Sequence, residues 1–175
     1  QANATSGTGF DPKSVKNIYD CLVNDRPAQE AILETSNPNL FILPSHVDLV
    51  GAELEMINMP NREYLHKSAL AQIKDDYDFI LIDCSPSLGL ITVNALVAAD
   101  AVMIPVQCEY FALEGLSSLI NTINALKQKL NPALEIDGII RTMYDVRNNL
   151  ANAVSNELTQ HFGDTVFRTL VPRNV

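Results

Sequence analysis

The sequence has no long apolar run, which excludes a membrane-spanning helix. Its apolar stretches, of which Ala95 to Ala99 is typical, end at charged or amide side chains, well short of the roughly 18 residues that a span requires. The first residues carry neither the basic start nor the apolar core of a secretory signal. We therefore expect a cytoplasmic protein with no membrane partner.

Cysteine is scarce, and its spacing argues against two kinds of stabilised fold. The chain has three cysteines, an odd number, and no two of them form a Cys-x-x-Cys pair. This pattern disfavours both a disulfide framework and a zinc site. We interpret all three residues as buried thiols: Cys21, Cys84 and Cys108.

Basic residues are also few, because the formal net charge is −9. Such a charge opposes non-specific attraction to the phosphates of DNA. The imbalance is uneven: residues 1–136 carry 8 basic and 17 acidic side chains, whereas residues 137–175 carry 4 of each. Any nucleic-acid surface is therefore predicted to lie toward the C-terminus.

What the sequence does contain is a series of short apolar runs separated by segments with helical periodicity. The runs with the length of buried strands are Leu40–Leu43, Phe79–Ile82, Ala101–Val106, Gly138–Met143 and Thr165–Leu170. The predicted helices cover residues 14–23, 62–74, 90–99, 111–130 and 148–161. Their alternation predicts an α/β fold, with a mainly parallel sheet flanked by helices on both faces and a single domain over residues 1–175.

One apolar run ends in a candidate functional carboxylate. Asp83 follows residues 79–82, and ligands of parallel sheets bind beyond the carboxyl ends of the strands. A carboxylate there suits the water shell of Mg²⁺, but aspartate at a strand end also serves only to cap a helix, so the pattern alone leaves both roles open. The chain has no Gly-Lys pair and so no phosphate-binding P-loop of its own.

Five segments in order resemble the motifs of the ParA/Soj chromosome-partitioning ATPases. They are Gln1–Gly7, Leu81–Leu88, Pro105–Leu116, Thr142–Asp145 and Val171–Val175. The resemblance implies a P-loop NTPase-like fold, ATP and Mg²⁺ as cofactors, and hydrolysis of ATP by the intact protein. In that family the lysine-bearing phosphate loop precedes the first of these segments. We therefore expect an internal fragment that lacks this loop and a C-terminal segment, and that is inactive alone.

The resemblance also assigns individual residues. Asp83 is similar to the Walker B aspartate that holds magnesium through water, and residues 84–87 resemble switch II. Pro172 and Asn174 match the adenine-binding loop, in which a proline ring covers the base and an asparagine amide pairs with its edge; Met143 is a candidate lid on the other face. Pro172 could instead only end a strand, and Met143 could belong to the core.

Arg147 matches a family position for sequence-independent DNA contact, although an ion pair with Asp145 explains it equally well. The resemblance further implies an ATP-dependent homodimer, association with the nucleoid, and a ParB-like partner that stimulates hydrolysis. Segment 107–115 is similar to a region near the dimer face, or its glutamates only stabilise a helix start. The alternatives are a MinD-like division-site ATPase and a non-enzymatic DNA- or protein-binding domain that has lost the phosphate loop.

Overall fold

The computed structural model describes residues 2–85 and 87–174. By their backbone contacts, the residues fall into two compact units, Gln1–Ala98 and Ala99–Val175. Within the described residues, no helix combines the length and apolarity needed to cross a bilayer. The single domain remains a prediction.

The first unit is mainly helical. Its helices are α1 (Asn3–Gly7), α2 (Ile18–Val23), α3 (Leu49–Met56), α4 (Leu65–Ala71) and α5 (Leu90–Ala98), with 3₁₀ turns at Ala28–Glu30 and Lys74–Asp76. Two short strands, β1 (Leu33–Glu34) and β2 (Phe41–Ile42), pair antiparallel. The apolar core includes Leu22, Met56 and Ile73, which are almost fully buried.

The second unit contains the parallel sheet. Its strands are β3 (Ala101–Gln107), β4 (Glu135–Tyr144) and β5 (Val166–Pro172), joined by α6 (Ala112–Lys129) and α7 (Asn149–Phe162), with a 3₁₀ turn at Gly163–Thr165. The strands lie in the order β3-β4-β5, and both pairings are parallel. The predicted α/β class is confirmed, because each helix connects neighbouring parallel strands in a βαβ unit.

Three predictions for the first unit are wrong. Residues 79–82 form no strand, and the side chains of Phe79 and Leu81 are 85% and 90% exposed. The run at residues 40–43 contributes only the two residues of β2, in an antiparallel pair. Cys84 is exposed rather than buried, although the other two cysteines are buried, and all three are free thiols.

A buried polar network joins α4 to α5. The Asn94 side chain is fully buried; its Oδ1 accepts from the His66 backbone N–H at 3.1 Å, and its Nδ2 donates to the Arg62 carbonyl at 2.7 Å. The His66 ring is also buried, and its Nδ1 has no hydrogen-bond partner among the described residues. Burial therefore lowers the pKa of His66 from 6.5 to about 4.

The pKa of His66 predicts a stability loss in mild acid. Between pH 6.5 and about 4, His66 binds a proton in the unfolded chain but not in the folded protein. The stabilising contribution of neutral His66 is therefore complete above this window and is lost as the pH drops through it. The full contribution is about 3 kcal/mol. Chemical denaturation across this window should show a shallower decline for His66→Leu than for the wild type. His161→Leu, which replaces an exposed histidine, should retain the wild-type decline, and an equally steep decline in His66→Leu would contradict the assignment.

Candidate functional site

The carboxyl ends of β4 and β5 meet at one edge of the sheet in the second unit. Tyr144 lies opposite Pro172 in the parallel register. The backbone N–H of Arg173 donates to the Tyr144 carbonyl at 3.0 Å, which continues the pairing one residue beyond β5. The structure thus brings together the predicted residues Met143, Pro172 and Asn174, which lie at or just beyond these two strand ends.

Met143 has a backbone conformation that non-glycine residues rarely adopt. Its φ is +51°, and the pairing register shifts between Arg141 and Tyr144, so Met143 lies in a bulge near the end of β4. Bulges next to binding sites commonly redirect side chains, and left-handed backbone at such a residue costs about 1–2 kcal/mol. The Met143 side chain is 44% exposed; this argues against the core-packing alternative.

Pro172 and Asn174 are both exposed at the end of β5. Pro172 is the last residue of this strand, as the strand-ending interpretation expects, and its exposed ring also remains accessible to a ligand. An apolar ring, an apolar thioether side chain and an amide that both donates and accepts hydrogen bonds are suited to a planar, polar-edged ligand such as a purine base.

The loop between β4 and α7 is held by an ion pair. Arg147 Nε and Nη2 donate to the two carboxylate oxygens of Asp145, each at 3.0 Å, and the Arg147 backbone N–H donates to Oδ1 at 3.0 Å. These hydrogen bonds lower the pKa of Asp145 from 3.8 to about 2 and raise the pKa of Arg147. The pairing alternative for Arg147 is therefore present, while its side chain remains 77% exposed.

Asn148 begins α7 immediately after this ion pair. Its side-chain oxygen accepts from the backbone N–H groups of Leu150 and Ala151 at 2.9 and 3.4 Å, which is a helix cap. The Asn148 N–H in turn donates to the Asp145 carbonyl at 3.0 Å. The conformation of the Arg147 loop is thus fixed at its junction with the helix.

Arg141 is half-buried, unlike the other arginines of this unit, which are exposed. Its Nη1 donates to Ser155 Oγ on α7 at 2.8 Å, and its Nη2 donates to the Phe167 carbonyl on β5 at 2.7 Å. Its Nε is buried with no partner among the described residues. Arg141 therefore joins the sheet to α7 and contributes little to any basic surface.

Asp83 lies in an irregular segment of the first unit rather than at a strand end. Its side chain is exposed, and the described residues contain no group of three or more His, Cys, Asp or Glu that could bind a metal ion. A lone exposed carboxylate still fits Mg²⁺, which keeps several waters and commonly takes one or two protein carboxylates.

The segment after Asp83 carries the predicted switch residues. Although Cys84 is exposed as a residue, partial desolvation of its sulfur and the adjacent Asp83 charge raise the pKa of this thiol, which disfavours an activated nucleophile. Ser85 and Ser87 share a hydroxyl hydrogen bond of 2.9 Å, and the Thr92 hydroxyl donates to the Ser87 carbonyl at 2.6 Å. Pro86, which belongs to the same predicted segment, lies outside the described residues.

Two polar residues of the site are not predicted by sequence reasoning. The Tyr144 hydroxyl donates to Asn152 Oδ1 at 2.5 Å, and Asn152 Nδ2 donates to the Val146 carbonyl at 3.0 Å. A tyrosine at a strand end and an asparagine in the first turns of the next helix are weak sequence signals on their own. Only the path of the loop brings their side chains together.

Known proteins similar to this chain include bacterial partition proteins. A family model described as an AAA domain matches residues 1–136. The chromosome partitioning protein ParA of Myxococcus xanthus is 50% identical over 100% of this chain and 62% of its own length. The sporulation initiation inhibitor protein Soj of Bacillus subtilis is 48% identical over 100% of this chain and 70% of its own length. The chain thus spans between 62% and 70% of the length of these two relatives.

A solved structure with a similar fold comes from Mycobacterium smegmatis. It is the structure of cobyrinic acid a,c-diamide synthase with bound ADP and magnesium, and it is 34% identical to this chain. The match has a TM-score of 0.91 and covers 99% of this chain and 71% of that protein. The similarity supports the α/β assignment over almost the whole chain.

The positive φ of Met143 predicts an unusual response to glycine. Met143→Gly should be no less stable than the wild type, because relief of about 1–2 kcal/mol of backbone strain offsets the conformational entropy that glycine loses on folding. The matched variant Met103→Gly replaces a 52% exposed methionine of β3 and should lower the free energy of unfolding by about 1 kcal/mol. Urea denaturation compares the two; equal losses would show that Met143 is not strained.

Proposed function

Because the chain belongs to the ParA/Soj family of chromosome-partitioning ATPases, we propose that it forms the adenine-binding and DNA-contacting part of a partition ATPase. The intact protein binds ATP with Mg²⁺ and transfers the terminal phosphoryl group to water. It acts in the cytoplasm on chromosomal or plasmid cargo. The partition assignment rests on the two bacterial relatives, whose identity to this chain is higher than that of the M. smegmatis protein.

The observation that carries the proposal is the pairing of Tyr144 with Pro172, together with the exposed Met143 beside it. This pairing supports an adenine site in which Met143 covers one face of the base, the Pro172 ring covers the other, and the Asn174 amide pairs with the N6/N7 edge. The same donor and acceptor pattern distinguishes adenine from guanine in other contexts.

Asp83 is the proposed magnesium residue, as the Walker B aspartate. Its carboxylate would hold the ion through water, and the bound ion would neutralise charge that develops on the transferred phosphoryl group. Since the chain contains no Gly-Lys pair, we infer that the 175 residues do not hydrolyse ATP alone. The stabilising lysines would be supplied by the family's phosphate loop.

We assign DNA contact to Arg147, and dimerisation increases the number of these contacts. One arginine supplies roughly one phosphate contact, which is a small gain for a chain whose formal net charge is −9. An ATP-dependent homodimer presents two such arginines, and many dimers on the nucleoid present more. A ParB-like partner would then release the protein from DNA by stimulating ATP hydrolysis.

Adenine recognition is tested at Asn174. In the intact protein, Asn174→Ala should weaken ATP binding by about five- to tenfold, because it removes a hydrogen-bonding amide from the base edge, and should abolish the preference for ATP over GTP. Asn124→Ala replaces an exposed asparagine of α6 and serves as the control. Titration of both nucleotides into each variant measures the effect. Equal affinity of the wild-type protein for ATP and GTP would argue against this site.

DNA contact is tested at Arg147. Arg147→Gln removes the charge without placing an acid beside Asp145, and it should weaken binding to duplex DNA while leaving ATP affinity unchanged. The slope of log affinity against log salt should fall by about one for each protomer. Arg168→Gln, at an exposed arginine of β5, is the charge-matched control. A similar loss in both variants would indicate attraction to general positive charge rather than a contact at Arg147.

A further inference from the structure

The Asn152 side chain uses both ends of its amide to join two parts of the second unit. Its Oδ1 accepts from the Tyr144 hydroxyl at 2.5 Å, at the end of β4. Its Nδ2 donates to the Val146 carbonyl at 3.0 Å, in the loop that carries Arg147. A partly buried asparagine that makes both bonds fixes the loop relative to the strand end.

Tyr144 extends this connection to β5. Its ring hydroxyl contacts Asn152, and its backbone carbonyl accepts the Arg173 N–H at 3.0 Å. Arg173 lies between Pro172 and Asn174, the two residues proposed to bind adenine. A continuous series of hydrogen bonds thus runs from the proposed adenine loop to the residue before Arg147.

Asp145 provides a second connection between the same two loops. Its carboxylate pairs with Arg147, and the positive charge of Arg173 also contributes to lowering the pKa of Asp145. A change in the position of Arg173 would therefore alter the field at Asp145 and with it the hold on the Arg147 guanidinium.

We propose that Tyr144 and Asn152 are positioning residues that couple ATP binding at residues 172–174 to DNA contact by Arg147. This inference rests on the proposed function. Nucleotide bound at residues 172–174 stabilises the existing pairing of the β5 end with Tyr144, and the Tyr144–Asn152–Val146 series then favours the Arg147 loop conformation of this structure. Because linkage is reciprocal, DNA bound at Arg147 strengthens ATP binding by the same factor.

The test measures a ratio in the intact protein: the affinity for duplex DNA with ATP divided by the affinity without it. Tyr144→Phe removes one hydroxyl, and Asn152→Ala removes both amide hydrogen bonds. Tyr144→Phe should reduce the ratio about fivefold, which corresponds to one net hydrogen bond, and Asn152→Ala should reduce it at least as much. A residue that only stabilised the fold would shift the melting temperature without changing this ratio.

Two control variants remove similar groups elsewhere. Tyr19→Phe eliminates a hydroxyl bond of 2.8 Å to Glu55 in the first unit, and Asn156→Ala removes an exposed asparagine one turn beyond Asn152. Both should keep the wild-type ratio.

The outcomes separate the two proposals. A reduced ratio in Tyr144→Phe and Asn152→Ala, with wild-type values in the controls, supports the coupling. An unchanged ratio in these variants overturns the coupling and leaves the partition function intact. A wild-type protein whose DNA affinity does not depend on ATP overturns the proposed function, and the coupling falls with it.

Discussion

The parallel pairing of β4 with β5 is the interaction on which the rest of the site depends. It aligns Tyr144 with Pro172 and brings the Arg173 N–H to the Tyr144 carbonyl. Without this register, the loops after the two strands would have no fixed relation. Residues separated by about thirty positions in the sequence become neighbours because parallel strands present all their carboxyl ends at one edge. The βαβ connection through α7 enforces that direction.

The arginines of the second unit leave little free positive charge for binding an anionic partner. Residues 137–175 contain four arginines and four acidic residues. The Arg141 guanidinium, however, donates hydrogen bonds to Ser155 and to a backbone carbonyl. Arg147 is exposed yet already paired with Asp145. A phosphate that approaches Arg147 must share or replace this carboxylate, so each proposed contact is weak. Binding through many weak contacts is consistent with the proposed dimers acting together on the nucleoid.

The sequence predicts strands correctly where an apolar run also has a neighbouring strand with which to pair. All three strands and both helices of the second unit were predicted, because apolar strand runs alternate there with a strong helical stripe at residues 111–130. The run at residues 79–82 has equal apolarity, but no strand pairs with it in the described part of the first unit. A strand requires a neighbour for its backbone N–H and C=O groups, and this requirement cannot be read from the run itself. Asp83 therefore lies in an irregular segment.

For the candidate site residues, too, the sequence indicates the residue types but not the conformation and contacts that the fold gives them. The motifs identified Met143, Pro172, Asn174 and Arg147 by residue type, whereas the positive φ of Met143 and the Tyr144–Asn152 bond follow from the bulge and the loop path. Sheet hydrogen bonds on both sides of the bulge hold Met143 in its unfavourable conformation, since relaxing it would require Tyr144 to leave its register with Pro172. An exposed, strained apolar residue beside a satisfied polar network is better explained by ligand binding than by stability. These observations support the proposal that this sheet edge binds a ligand, and the sheet pairing supplies the free energy that holds Met143 in its strained conformation.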